Sequence, residues 1–408
     1  MSGPLTGVRV VDLTSNILGP VATQILGDMG ADVIKIETTQ GDPMRQSGMS
    51  RNPNMASLFM NTNRNKRSVV LDLKRPPALQ ALMRLIETAD VFVHGLRPRA
   101  AARLGIAYSA IKERNPRIIY AYGPGYSPDG PFRDRPAFDD VIQGESGIAG
   151  MLGQISGEPR YVPMILADKI CGNVLASAIG MALFEREKTG LGQEVCVPML
   201  ETMLSFNLTE HLWTNFFERD GSKLGYSRML STNRRPYATS DGHICLLAVN
   251  DEQWQRLLTA IGRPELNSDE RFAALAQRTR NIDDLYAIVA EQIKHKKTAE
   301  WKQLLDAADI PNGAVKNLED LGDDPYLRST EFFQHYNHPT EGRMVTTAIP
   351  VRFSRSPGSF RLPPPPLGQD TRSILKEIGY GDAEIAQIAG NKSGTASSLS
   401  DLTVRTGC

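Results

Sequence analysis

Hydrophobic positions near the start of the chain follow a strand, helix and strand order. Residues 8–13, VRVVDL, are a short run rich in β-branched residues, and residues 31–37, ADVIKIE, are a second one. Between them, residues 19–30, GPVATQILGDMG, have proline near the start and glycine at the end, as helices do. This order predicts a βαβ unit, whose two strands are parallel because the helix crosses over between them.

The same alternation continues through the next part of the chain. Strands are predicted over residues 68–73, 90–96 and 117–123, and a helix over residues 76–89. Repeated strand and helix segments of this kind predict the α/β fold class, with a doubly wound parallel sheet.

The middle of the chain changes from this pattern to a more helical one. A long helix is predicted from about Lys169 to Lys188, ending at the glycines of TGLGQ, and a buried strand over residues 193–200. Residues 231–250 predict a hairpin, and three amphipathic helices follow it. We interpret residues 230–320 as a smaller α+β unit.

The last part of the chain contains strand-like sequence again. Residues 342–354 read as a strand, the PPPP run at 363–366 as a stiff extended linker, and residues 371–379 as a short helix. Residues 391–408 are rich in serine, glycine and threonine and predict a flexible tail.

Composition narrows the classes of function. With 41% hydrophobic and 23% charged residues, the 408-residue chain is typical of a globular protein. Its 46 basic and 46 acidic side chains create no overall field for nucleic acid or an anionic membrane, so any anion site must be local. The four cysteines form no CxxC pair, and the longest apolar run, about a dozen residues, is too short to cross a bilayer. We expect a cytoplasmic protein without nucleic-acid or membrane partners.

Several familiar sites are absent from the sequence. The first strand is followed by LTSNILGP instead of GxGxxG, which argues against a dinucleotide site with Glu37 on the ribose. No HxxxH, HExxH or GxSxG occurs, and His335 and His338 lie in a segment predicted to be a polar loop. Metal binding there and serine hydrolase chemistry are therefore not indicated.

Two basic clusters flank neighbouring predicted strands, the first of them around a strand start. Each could be a solvated loop, but basic side chains at the ends of adjacent parallel strands could also converge where α/β sheets bind phosphates. Between residues 122 and 140 a turn-rich segment is long enough to suggest a functional loop. The residues of the two basic clusters are Arg64, Lys66, Arg67 and Lys74, and Arg97, Arg99 and Arg103.

Asp168 precedes a run of small and apolar residues. The pattern alone favours an N-cap for the helix that follows, and Asp139 and Asp140 have the same interpretation. Catalysis is compatible with this position, because a helix N-terminus favours an ionised, nucleophilic carboxylate. One face of the helix is smooth enough for close packing within the subunit or across a dimer, through Gly172, Ala176 and Gly180.

Taken together, these segments resemble the class III CoA-transferases, the CaiB/BaiF family of formyl-CoA transferase and carnitine CoA-transferase, over nearly the whole chain. Their order and spacing make the resemblance specific, although no single one does. The matching segments are LTGVRVVDLT, LGPVATQILGDMGADVIKIE with GDPMR, NRNKRSVVLDLK, ADVFVHGLRP, RPAFDDVIQGESG, Asp168 with its helix and REKTGLGQEV, RRPYATSDGH and HPTEGR.

The resemblance implies an enzyme that uses an acyl-CoA and a small carboxylic acid, with no metal or redox cofactor. The position that matches the family's nucleophile is Asp168, which would form an anhydride, then an aspartyl-CoA thioester, then a second anhydride. Arg103 is the best candidate for a phosphate contact, since a guanidinium can hold two phosphate oxygens. By the same matching, CoA would lie along Leu71, Asp72, Leu73, Lys74, Gly95, Leu96, Arg97, Arg103, Pro136, Ala137, Phe138 and Asp139.

The family fold also sets expectations for architecture. It implies a Rossmann-like large domain built from both chain ends, a smaller domain between them, and two chains interlocked as a homodimer. The expected boundaries are 1–200 for the first part of the large domain, 201–229 for a linker, 230–320 for the small domain, 321–390 for the return to the large domain, and 391–408 for the tail.

Departures from the family pattern bear on the substrate. The 2-methylacyl-CoA racemase branch has a histidine where this chain has Phe138, so transfer is favoured over the alternative, isomerisation at the acyl α-carbon. Formyl-CoA transferase has glutamine at the position of Ile17 and arginine at that of Thr38. Its glycine-rich lid segment has no counterpart here either. An apolar Ile17 in the acyl pocket favours a less polar acid than oxalate.

A third hypothesis is that the chain is a CoA-binding protein that has lost catalysis.

Overall fold

The computed structural model describes residues 3–219 and 221–389, so the predicted tail at 391–408 lies outside the described residues. The strands are β1 (Arg9–Leu13), β2 (Asp32–Glu37), β3 (Lys66–Val70), β4 (Val91–His94), β5 (Ile119–Tyr122), β6 (Gln193–Cys196), β7 (Tyr237–Ala238), β8 (His243–Leu246), β9 (Asn312–Ala314), β10 (Phe333–His338) and β11 (Gly342–Thr347). The α-helices are α1 (Leu18–Asp28), α2 (Ser57–Thr62), α3 (Pro76–Glu87), α4 (Pro98–Arg103), α5 (Tyr108–Arg114), α6 (Asp139–Glu145), α7 (Ile148–Ser156), α8 (Ala167–Thr189), α9 (Met199–His211), α10 (Asp251–Ala260), α11 (Leu275–Arg280), α12 (Ile282–Ile293), α13 (Thr298–Ala307), α14 (Pro325–Ser329), α15 (Thr371–Glu377) and α16 (Asp382–Ala389).

A six-stranded parallel sheet organises the first half of the chain. Its strand order is β3-β2-β1-β4-β5-β6, which confirms the predicted α/β class and parallel sheet. The chain runs outward from β1 in both directions, so the order reverses between β1 and β4. At such a switch point the connections diverge and leave a crevice at the carboxyl ends of the strands. The crevice lies next to Leu13 and His94, the last residues of these two strands.

Apolar clusters cover both faces of this sheet. One cluster joins the sheet to α1, α8 and α9, and the other joins it to α3, α5 and the C-terminal helices α15 and α16. Ile374 and Ile388 belong to the second cluster, so the C-terminal segment packs on the strands formed by the N-terminal half. A third cluster lies between Tyr237 and Ile310, around β7 to β9 and α10, α12 and α13.

Three local predictions need correction. The strand predicted over 193–200 ends at Cys196 and is only partly buried, because it lies at the edge of the sheet and α9 begins at Met199. His335 and His338 lie in β10, paired with β11, and not in a loop. The proline run is extended but packed: the Pro364 carbonyl oxygen lies 2.8 Å from His338 Nε2 and that of Pro365 accepts from Arg45 at 3.1 Å.

Helix α8 is longer than predicted and contributes to the core. By length and composition α8 could cross a membrane, although the apolar run in the sequence was predicted to be too short. Half of its apolar stretch is, however, buried inside the protein. An added Cβ at Gly172 would lie 2.7 Å from the Leu18 carbonyl oxygen, which shows how closely α8 and α1 pack. Arg186 near its other end pairs with Asp90 at 3.0 Å. These contacts identify α8 as a core helix, and Gly172 as a packing position within the subunit.

Candidate active site

Two adjoining cavities occupy the crevice at the switch point. The first, of about 290 Å³, contains Asp168 in its lining. The second, of about 710 Å³, is lined by residues 38–43 and 71–74. Thr14 and Ser15 belong to the lining of both cavities, so the loop after β1 forms the boundary between them. One elongated ligand could therefore occupy both.

Asp168 is the second residue of α8, not its N-cap. The helix begins at Ala167, its N-cap is Leu166, and no side chain caps it. The N-cap prediction for Asp168 is therefore wrong. The same correction applies at α6, where Phe138 is the N-cap and Asp139 is the first helical residue. The side chains of both aspartates are consequently available for other contacts.

The carboxylates of Asp139 and Asp168 lie close together without a cation between them. Asp139 Oδ1 accepts the Asp168 backbone N–H at 3.0 Å, and its Oδ2 accepts from Gln143 Nε2 at 2.6 Å. Only 9% of Asp168 is exposed, and within the described part of the chain its carboxylate forms no hydrogen bond or ion pair. Burial, and secondarily the charge of Asp139, raise the pKa of Asp168 to about 7. The helix start therefore does not by itself keep this carboxylate ionised, because burial and the charge of Asp139 both oppose ionisation.

A network of buried charges holds the loop between the cavities. The carboxylate of Asp12 accepts the Thr14 backbone N–H at 2.9 Å, and Lys35 Nζ donates to the Thr14 carbonyl oxygen at 3.0 Å. Asp42 accepts from Lys35 at 2.9 Å and from the Asn16 backbone N–H at 3.2 Å. Asn16 adopts a left-handed φ of 65°. The GDPMR segment thus fixes the loop that both cavities share.

Three side chains of the first basic cluster have structural roles. They lie before or within β3, at its amino end, whereas the cavities lie at the carboxyl ends of the strands. Each has a carboxylate partner: Arg64 with Asp28 at 2.7 Å, Lys66 with Asp12 at 3.1 Å, and Arg67 with Asp32 at 2.7 Å. The alternative of a phosphate site does not apply to these residues, because their charges are already paired with carboxylates on other elements, which the sequence does not show.

The remaining basic side chains lie near the cavities. Lys74 lines the second cavity and Arg97 lines the first. Arg103 and Arg99 are exposed on α4, and Leu104, the neighbour of Arg103, lines the second cavity. These four cations are the part of the two clusters that could meet a phosphate.

Most residues matched by resemblance lie in the two cavities. Ile17, predicted for the acyl pocket, is buried and is not among the residues that line either cavity, whereas its neighbours Asn16 and Leu18 are. Asp139 lines neither cavity and contacts the backbone N–H of Asp168. The second cavity contains Leu71, Asp72, Leu73, Lys74 and Leu96, and the first contains Gly95, Arg97, Pro136, Ala137 and Phe138.

Sequence reasoning missed His94 in the first cavity. Its Nδ1 accepts the Leu96 N–H at 3.2 Å, so Nε2 carries the proton that meets the Tyr120 hydroxyl at 2.7 Å. Tyr120 donates in turn to the Ile106 carbonyl oxygen at 3.0 Å. Burial lowers the pKa of His94 to about 3, and the ring is neutral. The available signal was a polar residue at the end of the apolar run DVFVHGL, where a parallel strand meets a ligand.

The chain is similar to known CoA-transferases. Residues 5–371 match the family model described as CoA-transferase family III. Human succinyl-CoA:glutarate CoA-transferase is 29% identical over 389 residues, which cover 94% of this chain and 88% of that protein. Rv3272 of Mycobacterium tuberculosis, named a probable fatty acyl-CoA transferase, is 33% identical over 393 residues, covering 91% and 97%. The crystal structure of Rv3272 in its orthorhombic form superposes with a TM-score of 0.80 at 31% identity, covering 91% of this chain and 99% of that one.

Proposed function

The chain belongs to CoA-transferase family III, and we propose that it transfers CoA from an acyl-CoA to a small carboxylic acid through covalent intermediates on Asp168. The observation that carries this proposal is the Asp168 carboxylate itself. It is buried, lacks a cationic partner among the described residues, and lines a cavity that adjoins a second, larger one. Such a carboxylate is poised to react, because acylation removes its unfavourable charge.

The two cavities suit the two ends of an acyl-CoA. We place the nucleotide in the second cavity, where Lys74 and the nearby Arg103 supply positive charge for its phosphates. The pantetheine arm then passes Thr14 and Ser15 into the first cavity. This path brings the thioester carbonyl to Asp168.

The first half-reaction produces an enzyme-bound thioester. The Asp168 carboxylate attacks the donor carbonyl, the C–S bond breaks, and CoA thiolate leaves while an aspartyl anhydride forms. The thiolate then attacks the Asp168 carbonyl of the anhydride. The donor acid leaves as a carboxylate and aspartyl-CoA remains, so no net proton is consumed.

The second half-reaction is the reverse sequence with another acid. The acceptor carboxylate attacks aspartyl-CoA and expels the thiolate, which forms a second anhydride. Attack of the thiolate on the acceptor carbonyl yields the new acyl-CoA and restores the Asp168 carboxylate. Every step exchanges one acyl bond for another, so the proposed chemistry needs no metal or redox cofactor.

Asp139 contributes to the energetics of these steps. Its carboxylate accepts the Asp168 backbone N–H and so fixes the start of α8, while its charge opposes a second negative charge beside it. Attack converts the Asp168 carboxylate into a neutral ester-like group. The electrostatic repulsion is therefore present in the free enzyme and absent in the intermediate, which favours acylation.

The alternative, isomerisation at the acyl α-carbon, needs a second acid or base facing the substrate. Phe138, 65% exposed in the cavity wall, cannot exchange protons. His94 is neutral and both of its ring nitrogens have partners. These two observations favour transfer over isomerisation.

Chemical trapping tests the proposed intermediate. The protein is incubated with an acyl-CoA and then treated with hydroxylamine, which converts an activated aspartate into a hydroxamate. Peptide mass spectrometry should find the modification on Asp168, and the Asp168→Ala variant should show none while still binding CoA. Full turnover with an unmodified Asp168 would refute the mechanism. Incorporation of deuterium at the acyl α-carbon in heavy water, without an acceptor acid, would support the isomerase.

We further propose that the protein is a homodimer. The support is the family resemblance together with apolar side chains exposed along α8, α9 and the turn that follows, which a second copy could cover. Light scattering of the purified protein tests this, and a monomer at micromolar concentration would contradict it. The exposed side chains are Met181, Phe184, Phe206, Phe216 and Phe217.

A further inference from the structure

Two buried polar side chains at the switch point, His94 and Tyr120, have no role in the transfer steps described above. His94 ends β4 and lines the first cavity, and Tyr120 lies on the neighbouring strand β5. Their ring centroids are 4.9 Å apart. Buried polar groups need hydrogen-bond partners, so the question is which part of the molecule those partners hold.

Two backbone groups fix the direction of every hydrogen bond of this pair. The Ile106 carbonyl oxygen only accepts, so the Tyr120 hydroxyl donates its proton there at 3.0 Å. The Leu96 N–H only donates, so His94 Nδ1 accepts it at 3.2 Å and Nε2 carries the ring proton. That proton has the Tyr120 oxygen as its acceptor, 2.7 Å away. The three hydrogen bonds form one continuous chain from Leu96 to Ile106, which we call the relay.

The relay holds both ends of one segment. Leu96 lies before α4 and Ile106 after it, so residues 96–106, the α4 segment, are tied to β4 and β5 at two points. Among the described residues, no other hydrogen bond joins this segment to the sheet. Asp134, on an exposed loop, accepts from an arginine side chain of the segment at 2.7 Å and from a backbone N–H at 3.4 Å. Water competes for those exposed contacts and not for the relay, which is therefore the firmer anchor.

The α4 segment forms part of the site assigned to CoA. Leu96 and Leu104 line the second cavity, and Arg97 lines the first. Arg103 is the last residue of α4. A shift of about 1 Å in this segment would move both the cavity wall and these guanidinium groups relative to the phosphates. Asp168, by contrast, lies on α8, which forms no hydrogen bond with the segment or the relay within the described part of the chain.

We propose that His94 and Tyr120 are positioning residues for CoA, whose relay sets the place of the α4 segment and thereby the affinity for the nucleotide. The inference rests on the proposed function and deepens it. Because the α4 segment and the nucleophile belong to separate elements, a broken relay should weaken CoA binding and leave the chemical step unchanged. A contribution to stability alone would not separate these two quantities.

Tyr120→Phe breaks the relay, because it keeps the ring but removes the acceptor of His94 and the donor to Ile106. Calorimetry should show that the variant binds CoA about tenfold more weakly than the wild type. With the acyl-CoA that labels Asp168 in the trapping experiment, KM should rise by a similar factor at unchanged kcat. An unchanged affinity for CoA, or a lower kcat at unchanged KM, would overturn the proposal.

The matched control is Tyr122→Phe. Tyr122 lies on the same strand, is similarly buried and stacks on His94, but its hydroxyl forms no hydrogen bond with the α4 segment in the part of the chain that the structure describes. Tyr122→Phe should bind CoA as the wild type does. Equal weakening in Tyr120→Phe and Tyr122→Phe would show a general effect of removing a buried hydroxyl and would overturn the relay.

A truncated donor locates the effect. The pantetheine thioester of the same acyl group lacks the nucleotide, so its reaction does not depend on contacts of the nucleotide with the α4 segment. Tyr120→Phe should use this donor with a kcat/KM within about twofold of the wild type, a result that also requires the variant to be folded. An equal loss of kcat/KM with both donors would overturn the proposal.

Substitutions of His94 give an independent comparison. His94→Asn keeps an oxygen that can accept the Leu96 N–H, as asparagine does from the residue two positions later in Asx turns, whereas His94→Phe keeps the ring volume without an acceptor. We expect His94→Asn to bind CoA about threefold to tenfold more tightly than His94→Phe. Equal affinities of these two variants would overturn the proposal, whether or not Tyr120→Phe folds.

Binding and transfer measurements separate this inference from the proposed function. Weaker CoA binding by Tyr120→Phe, together with a wild type that transfers CoA to no acid, would refute the transferase and support the relay. Transfer by the wild type, together with an unchanged CoA affinity of Tyr120→Phe, would support the transferase and refute the relay.

Discussion

Asp12 and Asp168 are both buried carboxylates, and they differ in what surrounds them. Burial would raise the pKa of Asp12, but Lys66 and Lys35 outweigh it, and hydrogen bonds from Thr14 and Thr23 add to their effect, so the pKa falls to about 2. Burial raises the pKa of Asp168, and its nearest charged neighbour, Asp139, raises it further to about 7. The same residue type under similar burial is thus permanently ionised in one place and close to half protonated near neutral pH in the other.

The difference separates a structural role from a reactive one. Both carboxylate oxygens of Asp12 have hydrogen-bond or ion-pair partners, and these contacts fix the Thr14 loop between the two cavities. Asp168 has no cation or donor on its oxygens among the described residues, so its ionised form breaks no hydrogen bond or ion pair when it attacks a carbonyl. Compensated charge stabilises the fold, whereas the uncompensated charge is available for chemistry.

Removing the reactive carboxylate should have the largest effect. Asp168→Asn should lower transferase activity by at least about 10³-fold, because an amide cannot form the anhydride. Initial rates with a saturating acyl-CoA and an acid measure this. The control is Asp140→Asn. Asp140 is an exposed aspartate in the first turn of α6, and this variant should keep the wild-type activity. Comparable activity losses in the two variants would contradict the assignment.

Removing a partner of the compensated carboxylate should cost stability instead. Lys66→Met removes the ammonium group that pairs with Asp12 and donates to the Pro20 carbonyl oxygen and the Asn63 side chain, and should lower the free energy of unfolding by about 3–5 kcal/mol. Urea denaturation measures the change. Lys302→Met, which breaks an exposed pair with Asp306, should cost less than about 1 kcal/mol. Equal losses of unfolding free energy in the two variants would show that burial of an ion pair does not increase its contribution to stability.

The two carboxylates should also respond to pH with opposite sign. The folded pKa of Asp168, about 7, lies above its ordinary 3.8, so the native state binds a proton more tightly than the unfolded chain does. Its contribution to stability is present below about pH 4 and is lost as pH rises to about 7. The free energy of unfolding of wild type relative to Asp168→Asn should therefore fall by a few kcal/mol across this interval. If the free energies of unfolding of the two proteins change with pH in parallel, a raised pKa of Asp168 is excluded.

For Asp12 the pKa is lowered, and its contribution to stability is lost as pH falls from about 4 to about 2.

A smaller change is expected from the neighbour of Asp168. Asp139→Asn keeps an oxygen that can accept the Asp168 backbone N–H but removes the negative charge. The pKa of Asp168 should fall, and the rise of kcat/KM with pH should move to lower pH by about one unit. A pH–rate profile of wild type and variant measures the shift. If Asp139→Asn is active and its kcat/KM rises at the same pH as that of the wild type, burial alone sets the pKa of Asp168.

Much of the fold was accessible from the sequence. The apolar runs ending at Leu13 and Glu37, with a capped helix between them, predicted parallel strands, and the structure pairs them in that way. Periodicity succeeds here because each buried strand or helix face needs apolar residues at fixed spacing whatever its distant neighbours are. It was less accurate at β6, where an edge strand lacks a second neighbour and the helix α9 begins early.

The site could be predicted only in part. Asp168, Lys74 and Phe138 were identified because family-like segments surround them, and all three line the cavities. Arg64 and Lys66 could not be assigned from the sequence, since a basic residue beside a strand gives no information about its partner elsewhere in the fold. His94 was missed because its partner Tyr120 lies 26 residues away, on the next strand of the sheet.

The sequence by itself determined the alternation of strands and helices and the parallel sheet, because these depend on local spacing. The family was indicated by the resemblance of segments along nearly the whole chain. Only the tertiary structure decided which charges are compensated. Asp12 meets Lys66, 54 residues away, whereas Asp168 meets Asp139 and no cation among the described residues. The physical reason is that the energy of a buried charge depends on distances of a few ångströms, which the folded chain sets between residues far apart in sequence.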